Sequence, residues 1–117
     1  MSFWRKEVID FALHRETETH IQEQHQWIAR EPNNPRPWYN LAQLYRISAR
    51  HDEALALLLH AVSLDETCAD AHVALAEMYA VRDDYDAARR HARIAEDHGN
   101  PRGAEMLARY GLGARQR

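Results

Sequence analysis

Eight histidines and one cysteine are the side chains of this chain best suited to metal binding, proton transfer or nucleophilic work. The histidines are His14, His20, His25, His51, His60, His72, His91 and His98. No two of them are three or four residues apart, the spacing at which one helix face presents a pair of metal ligands. Mixed sets with carboxylates do have helical spacing: Glu16, His20 and Glu23, and also Glu7, Asp10 and His14. Either set would hold a transition metal weakly, and either is equally what a solvated helix face with i,i+4 pairs contains. As a group the histidines also offer pH-sensitive association near neutrality. Cys68 with His72 one turn later has the elements of a thiolate couple, but a small residue in a turn between helices is the simpler reading. Arg89, Arg90 and Arg93 cluster on one stretch, with Asp86 and Asp97 three or four residues away, which describes a salt-bridged surface before an anion site. There is no glycine-rich phosphate loop, no His-Glu-x-x-His and no Gly-x-Ser-x-Gly. The expectation is a chain with no catalytic residues, no metal and no cofactor.

Whatever these residues do, the elements that position them belong to one domain, because 117 residues are too few for two comfortable cores. With 45% apolar and 28% charged residues, the composition is that of a globular fold. The 15 basic and 18 acidic side chains give a formal charge of −3. That balance argues against a nucleic-acid partner, which requires a basic footprint. Apolar runs such as Ala54 to Leu59 fall far short of the roughly 20 residues of a membrane span, so no membrane partner is expected. The start of the chain, Met1-Ser2-Phe3-Trp4-Arg5-Lys6-Glu7, has no apolar signal core. One cysteine excludes a disulfide framework. A soluble, cytoplasmic protein is the expectation.

The sequence matches itself at one constant period. Laid over itself so that Trp38 falls on His72, the chain also brings Leu41 onto Leu75, Ala42 onto Ala76 and Tyr45 onto Tyr79. The same shift places Ala54 on Ala88 and Ala61 on Ala95. Each unit reads as two helices. Asn34 is a cap and Pro35 suits the first helical position, where its missing N–H is not needed. Trp38, Leu41, Ala42 and Tyr45 form one apolar stripe. Ala49-Arg50-His51 is a turn, and Asp52 and Glu53 place negative charge at the positive end of the next helix. Ala54, Leu57, Leu58, Ala61 and Val62 are its buried face. In the second unit Thr67 is the expected cap, with Asp70 three residues on. Leu75, Ala76, Met78 and Tyr79 form a stripe, Arg82-Asp83-Asp84 a turn, and Tyr85, Ala88, Ala92 and Ala95 the second helix face.

Trp38-x2-Leu41-Ala42-x2-Tyr45-x8-Ala54-x3-Leu58-x2-Ala61 closely resembles the tetratricopeptide repeat. Leu75-Ala76-x2-Tyr79-x8-Ala88-x6-Ala95 resembles it too, with His72 where the pattern favours Trp. The resemblance implies an all-α fold: a short α-α superhelix of stacked antiparallel helix hairpins. Its divisions are a repeat at 35–68, a repeat at 69–101 and a capping helix at 102–112, in which Met106, Leu107 and Tyr110 supply the apolar face. Gly111 suits the left-handed residue that ends that helix, and Gly113 to Arg117 are expected to fray. For residues 1–34, Trp4, Val8 and Phe11 fall under Trp38, Ala42 and Tyr45, which favours a degenerate first repeat with a turn in His14–Thr19. Glu7 under Leu41, His20 under Ala54 and Trp27 under Ala61 do not fit. One long helix from about Ser2 to Arg30 is the alternative.

What the resemblance implies for function is a protein-binding concave groove lined by the first helix of each unit. Its groove positions fall on Arg36, Tyr39, Asn40, Gln43 and Arg46 in one unit, Val73, Ala74 and Glu77 in the next, and Arg5, Lys6, Ile9 and Leu13 in the first. The two-carboxylate clamp that some members of the family use on chaperone tails is only partly present. Arg5 and Asn40 match it, whereas Ile9, Asp70 and Ala74 stand where it wants Asn, Lys and Arg. The implied function is a noncatalytic protein–protein interaction module, an adaptor or assembly chaperone, for a protein or peptide partner. The alternatives are a self-associating scaffold, with a homodimer through Ile9 and Leu13 of the N-terminal helix, and a small histidine-rich metal-binding or enzymatic protein.

Overall fold

The computed structural model describes residues 2–113, with side chains described from residue 13 onward. Residues 114–117, where fraying is expected, lie outside the described residues, as do the side chains of Trp4, Arg5, Lys6, Val8, Ile9 and Phe11. The described chain is all-helical: α1 (Ser2–Arg30), α2 (Pro35–Ile47), α3 (His51–Leu64), α4 (Ala69–Val81), α5 (Tyr85–Asp97) and α6 (Arg102–Arg109). Helices adjacent in sequence pack on one another, and α6 also packs on α4. This is the architecture of a helical-repeat superhelix.

The turns show why the chain breaks where it does. α2 ends at Ala49, held in the left-handed region at φ 61°, and Arg50 N–H then donates back to Tyr45 C=O at 2.8 Å. α4 ends the same way at the equivalent place, with Asp83 at φ 63° and Asp84 N–H on Tyr79 C=O at 2.9 Å. Gly99 and Gly111 close α5 and α6 with the same device, so four helix ends recover otherwise unpaired carbonyls through one left-handed residue. The other class of turn also repeats. Asn34 N–H donates to Glu31 C=O, and Cys68 N–H to Asp65 C=O, each at 3.1 Å. Asn34 caps α2 through its side chain, which accepts from Arg36 N–H. Thr67 does not cap α4. Its hydroxyl and N–H both donate to Asp65 Oδ1, at 2.7 and 2.9 Å, and Cys68 takes the cap position without a side-chain bond. These two bonds hold the Asp65 carboxyl below the usual range.

The N-terminal segment is one continuous helix, not the hairpin favoured from sequence. The reason lies in the face a hairpin would close. In the next unit that face is Leu41, Ala54, Leu58 and Ala61, all buried. At the equivalent places α1 carries Glu7, His20, Gln24 and Trp27. Closing the turn would bury two polar side chains, a carboxylate and a ring too large for an alanine site, so the turn straightens. The second half of α1 still serves as the helix before α2: Ile21 is buried there and packs with Leu41, Ala42 and Tyr45.

Small residues set the helix spacing throughout. Ala42, Ala54, Ala61, Ala76, Ala88 and Ala95 are completely buried, while Leu41, Leu58, Leu75 and Leu107 fill the gaps between them. Gly103 brings α6 so close to α5 that a Cβ there would lie 3.3 Å from Ala92 Cβ. Tyr110, expected on the apolar face of α6, is exposed instead. The chain turns at Gly111 and Leu112 folds back, its N–H on Leu107 C=O at 2.7 Å, to pack on the cluster around Leu107.

Candidate functional site

The first helices of successive hairpins, α2 and α4, meet through side chains. Arg36 and Asp70, at equivalent positions of the two units, form an ion pair with Nη2 and Oδ2 at 3.2 Å. Asn100, just ahead of α6, donates to the other carboxylate oxygen at 2.9 Å. Asp70 therefore joins α2, α4 and the residues ahead of α6 through side-chain bonds. Two to three turns further along, Arg46 Nη1 donates to Glu77 Oε1 and Gln43 Oε1, each at 3.1 Å. Tyr39 lies between these pairs, its ring 5.0 Å from the Arg36 guanidinium carbon. Burial, then the Asp70 carboxylate, push the Tyr39 phenol above its ordinary pKa, so it stays a neutral donor. A hollow of about 410 Å³ opens beside this set, lined by Gln43, Arg46, Ile47, His51 and Glu77.

Of the groove residues read from sequence, the structure brings Arg36, Tyr39, Gln43, Arg46 and Glu77 together. Asn40 is half-buried and donates to Gln24 Oε1 of α1 at 3.2 Å, so its side-chain amide is already engaged within the fold. Val73 and Ala74 are buried, on a helix packed against α3, α5 and α6, while the equivalent Tyr39 and Asn40 are only partly covered on α2, which packs against α1 and α3. Arg5, Lys6 and Ile9 lie outside the described side chains. Sequence reasoning named Asp70 as the capping-box partner of Thr67 and as a departure from a clamp, not as a groove residue, and did not find Asn100. The signal for Asp70 was its register: one period after Arg36 and opposite in charge.

A second cluster sits away from the groove. His72 is 4% exposed and is bonded at both ring nitrogens. Nε2 is 2.8 Å from Glu66 C=O, and Nδ1 is 2.9 Å from Nδ1 of His91. A carbonyl only accepts, so His72 carries its proton on Nε2, and its Nδ1 then accepts from His91 Nδ1–H. The His91 ring stacks on His72 and on Tyr79, with centroids 5.2 and 5.6 Å apart. Burial first, then His72 and Arg90, push His91 down to about 4. His72 thus faces His91 rather than Cys68. His20 stands 3.7 Å from both Glu16 and Glu23 on an exposed face of α1. Among the described residues, no three metal-ligating side chains converge, and no helix is long and apolar enough to cross a membrane.

With the stacked helices and their repeated turns in view, a comparison with family models is decisive for one segment. Residues 26–56 match the tetratricopeptide repeat. The match begins near the end of α1, spans all of α2 and ends inside α3. It therefore covers the α1–α2 turn whose bonds recur between α3 and α4. No curated protein matches the chain. A tetratricopeptide repeat points to a protein–protein interaction module, and within the matched segment Leu41, Ala42, Tyr45 and Ala54 are buried.

Proposed function

We propose that this chain is a noncatalytic interaction module, an adaptor or assembly chaperone of the cytoplasm, that binds a peptide or partner segment along its concave face. In this reading residues 35–68 and 69–101 are the two full repeats and 102–112 the capping helix. The observation that carries it is the grouping of Arg36, Tyr39, Gln43, Arg46 and Glu77 on adjacent helices, beside an open hollow, in a fold matched to a protein-binding repeat. Tyr39 supplies contact area at low entropy cost, and the amide of Gln43 can serve an extended backbone. The guanidinium groups of Arg36 and Arg46 are already matched by Asp70 and Glu77. A free carboxylate would have to displace an internal one, so an internal segment is the better ligand than an acidic tail.

Panning a random-peptide display library on the purified chain tests this. Enriched peptides are expected to lose about tenfold or more in affinity for Tyr39→Ala and Arg46→Ala, the cost of one lost charge-assisted or packed contact. They should bind Tyr110→Ala, on another surface, unchanged. Equal affinity for all three variants would place the site elsewhere.

A further inference from the structure

α6 carries the buried pattern of the two first helices. Pro37, Leu41 and Ala42 of α2 correspond to Ala71, Leu75 and Ala76 of α4 one period on, and Gly103, Leu107 and Ala108 follow the same spacing on α6. The first two members of each set are buried in all three helices. The third is not. Ala42 and Ala76 are completely buried, in clusters that contain Ala54 of α3 and Ala88 of α5 respectively, whereas Ala108 is exposed. α6 packs on α4 and α5, and the flank on which α2 and α4 each carry a second helix is open to solvent at Ala108. A hollow of about 350 Å³ runs beside it, with Leu107 and Ala108 of α6 and Ala92 of α5 in its apolar lining.

The charged lining of this hollow has a direction. Glu96 is in the last turn of α5 and Glu105 in the first turn of α6, so the two carboxylates flank the turn that joins the helices. Arg89 lies at the opposite end, with Nη1 3.4 Å from Leu112 C=O just past α6. Arg93 follows Arg89 one turn along α5 and also lines the hollow. Arg89 is matched by Asp86, but among the described residues Arg93, Glu96 and Glu105 form no ion pair. At the places of Arg89, Arg93 and Glu96, α3 has Leu55, Leu59 and Val62. Leu59 and Val62 face α5, lining a hollow with its Ile94. The same helix edge is thus apolar inside the stack and charged beside α6.

We propose that the open flank of α6 is a docking seat for an amphipathic helix of a partner protein, one with an acidic first turn, a basic last turn and small residues on its buried face. The chain itself shows how such a seat is filled. α3 lies antiparallel on α2 and α5 on α4, each bringing an alanine to the alanine that corresponds to Ala108. A helix seated in the same way on α6 has its first turn at the Arg89 and Arg93 end and its last turn at Glu96 and Glu105. Acidic residues in the first turn and basic ones in the last then meet opposite charges, and the same distribution suits the helix dipole. A second copy of this chain is a poorer occupant. The small-residue faces of α3 and α5 are buried in their own hairpins, and α1 carries His20, Gln24 and Trp27 at the equivalent positions. The charged edge keeps the open flank wetted and makes occupancy reversible and salt-sensitive. The seat is separate from the concave face and does not depend on the groove reading.

Two stapled helical peptides of 14 residues, the length of α3, test this on the full chain. Both carry Ala, Leu and Ala at the spacing of Ala54, Leu58 and Ala61. One has glutamates in the first turn and lysines in the last, and the other has these charges exchanged. By fluorescence anisotropy at low salt, the first should bind at least about tenfold more tightly than the second. Arg93→Glu should weaken the first peptide and strengthen the second. Ala108→Gln, which fills the seat with a longer neutral side chain, should weaken the first by about tenfold or more with helicity unchanged, since the position is exposed. Tyr39→Ala, on the concave face, should leave its affinity unaltered. The proposal fails if the first peptide does not bind by about 1 mM, if the two peptides bind equally, or if Ala108→Gln leaves the affinity intact. A dimer of the chain alone that Ala108→Gln dissolves would give the flank to a second copy and overturn the assignment to a partner.

Discussion

The hairpins α2–α3 and α4–α5 share a backbone and differ in the ring that closes each onto the preceding turn. In the first, Trp38 Nε1–H donates to Pro32 C=O at 3.0 Å. In the second, His72 donates from Nε2 to Glu66 C=O at 2.8 Å. The two donors are one period apart, and so are the two acceptors, so the same bond is made by two different rings. The rest of each ring then dictates its surroundings. The indole has no further polar atom, and its remaining face lies on His60 with centroids 4.1 Å apart. The imidazole has a second nitrogen, which is buried and must find a donor. It finds His91, at the position where the first hairpin has Leu57. One ring change in the repeat pattern thus comes with a polar partner on the facing helix, and it puts a titrating ring in the second hairpin at the place where the first has Leu57.

The largest expected effect tests what the two hairpins share. Ala54 and Ala88 are equivalent and both completely buried. Ala54→Trp and Ala88→Trp should each destabilise the chain by about 3 kcal/mol or more, at or beyond the upper end of ordinary overpacking, because an indole cannot fit where two helices touch. Urea melts should show both losses, while Tyr110→Ala on the surface stays within about 0.5 kcal/mol. If only one alanine tolerates the change, the two helix contacts are not equivalent.

How far the fold was legible follows from the same residues. The order of small and large side chains, Leu41-Ala42-x2-Tyr45 and Leu75-Ala76-x2-Tyr79, is sufficient to expect turns at 49–51 and 82–84, because helix contact selects for size at each position; the first falls one residue earlier, with His51 already in α3. The continuity of α1 was also written in the sequence, in Glu7, His20 and Trp27. The apolar match of Trp4, Val8 and Phe11 to the repeat outweighed them in the reading, although the polar misfits decide whether the hairpin can close. The partial exposure of Tyr39 and Asn40 on α2 was legible, and the burial of their counterparts on α4 was not. Val73 and Ala74 occupy the positions of Tyr39 and Asn40, but α4 packs on three helices, α3, α5 and α6, and neighbour number is not a local property of the pattern.

The difference between the hairpins should appear in their response to acid. His91 is held at about 4 in the folded chain, against an ordinary value of 6.5. The folded state therefore binds fewer protons than the unfolded state between these values. Stability is fully present above pH 6.5 and is lost as pH falls through that window toward 4. The ring is partly buried, and the solvent that still reaches it reduces the effect to about 1–2 kcal/mol. Thermal melts at pH 7 and pH 4.5 should show the fall in the wild type. His91→Asn keeps a donor for His72 Nδ1 but removes the titrating ring, and should flatten the response while retaining most of the neutral-pH stability. An equally steep loss in His91→Asn would assign the acid sensitivity to other groups.

The smallest effect lies in the turns. Ala49 and Asp83 hold the same left-handed conformation, at φ 61° and 63°. A Cβ makes that region unfavourable by roughly 1–2 kcal/mol, and glycine removes the clash at the expense of a more flexible unfolded chain. Alanine offers nothing in return for the strain, so Ala49→Gly should stabilise the first hairpin by about 0.5–1 kcal/mol. Aspartate tolerates the left-handed region better than alanine. Asp83 also accepts a hydrogen bond from the Tyr85 hydroxyl at 2.9 Å, which holds the tyrosine proton more tightly than usual. Asp83→Gly relieves less strain and loses that bond, so its net effect should be near zero or slightly destabilising. Chemical denaturation of the two single variants measures the contrast directly. A gain at Asp83 equal to that at Ala49 would mean that the aspartate contributes nothing to its turn and that the two hairpins differ at the ring position alone.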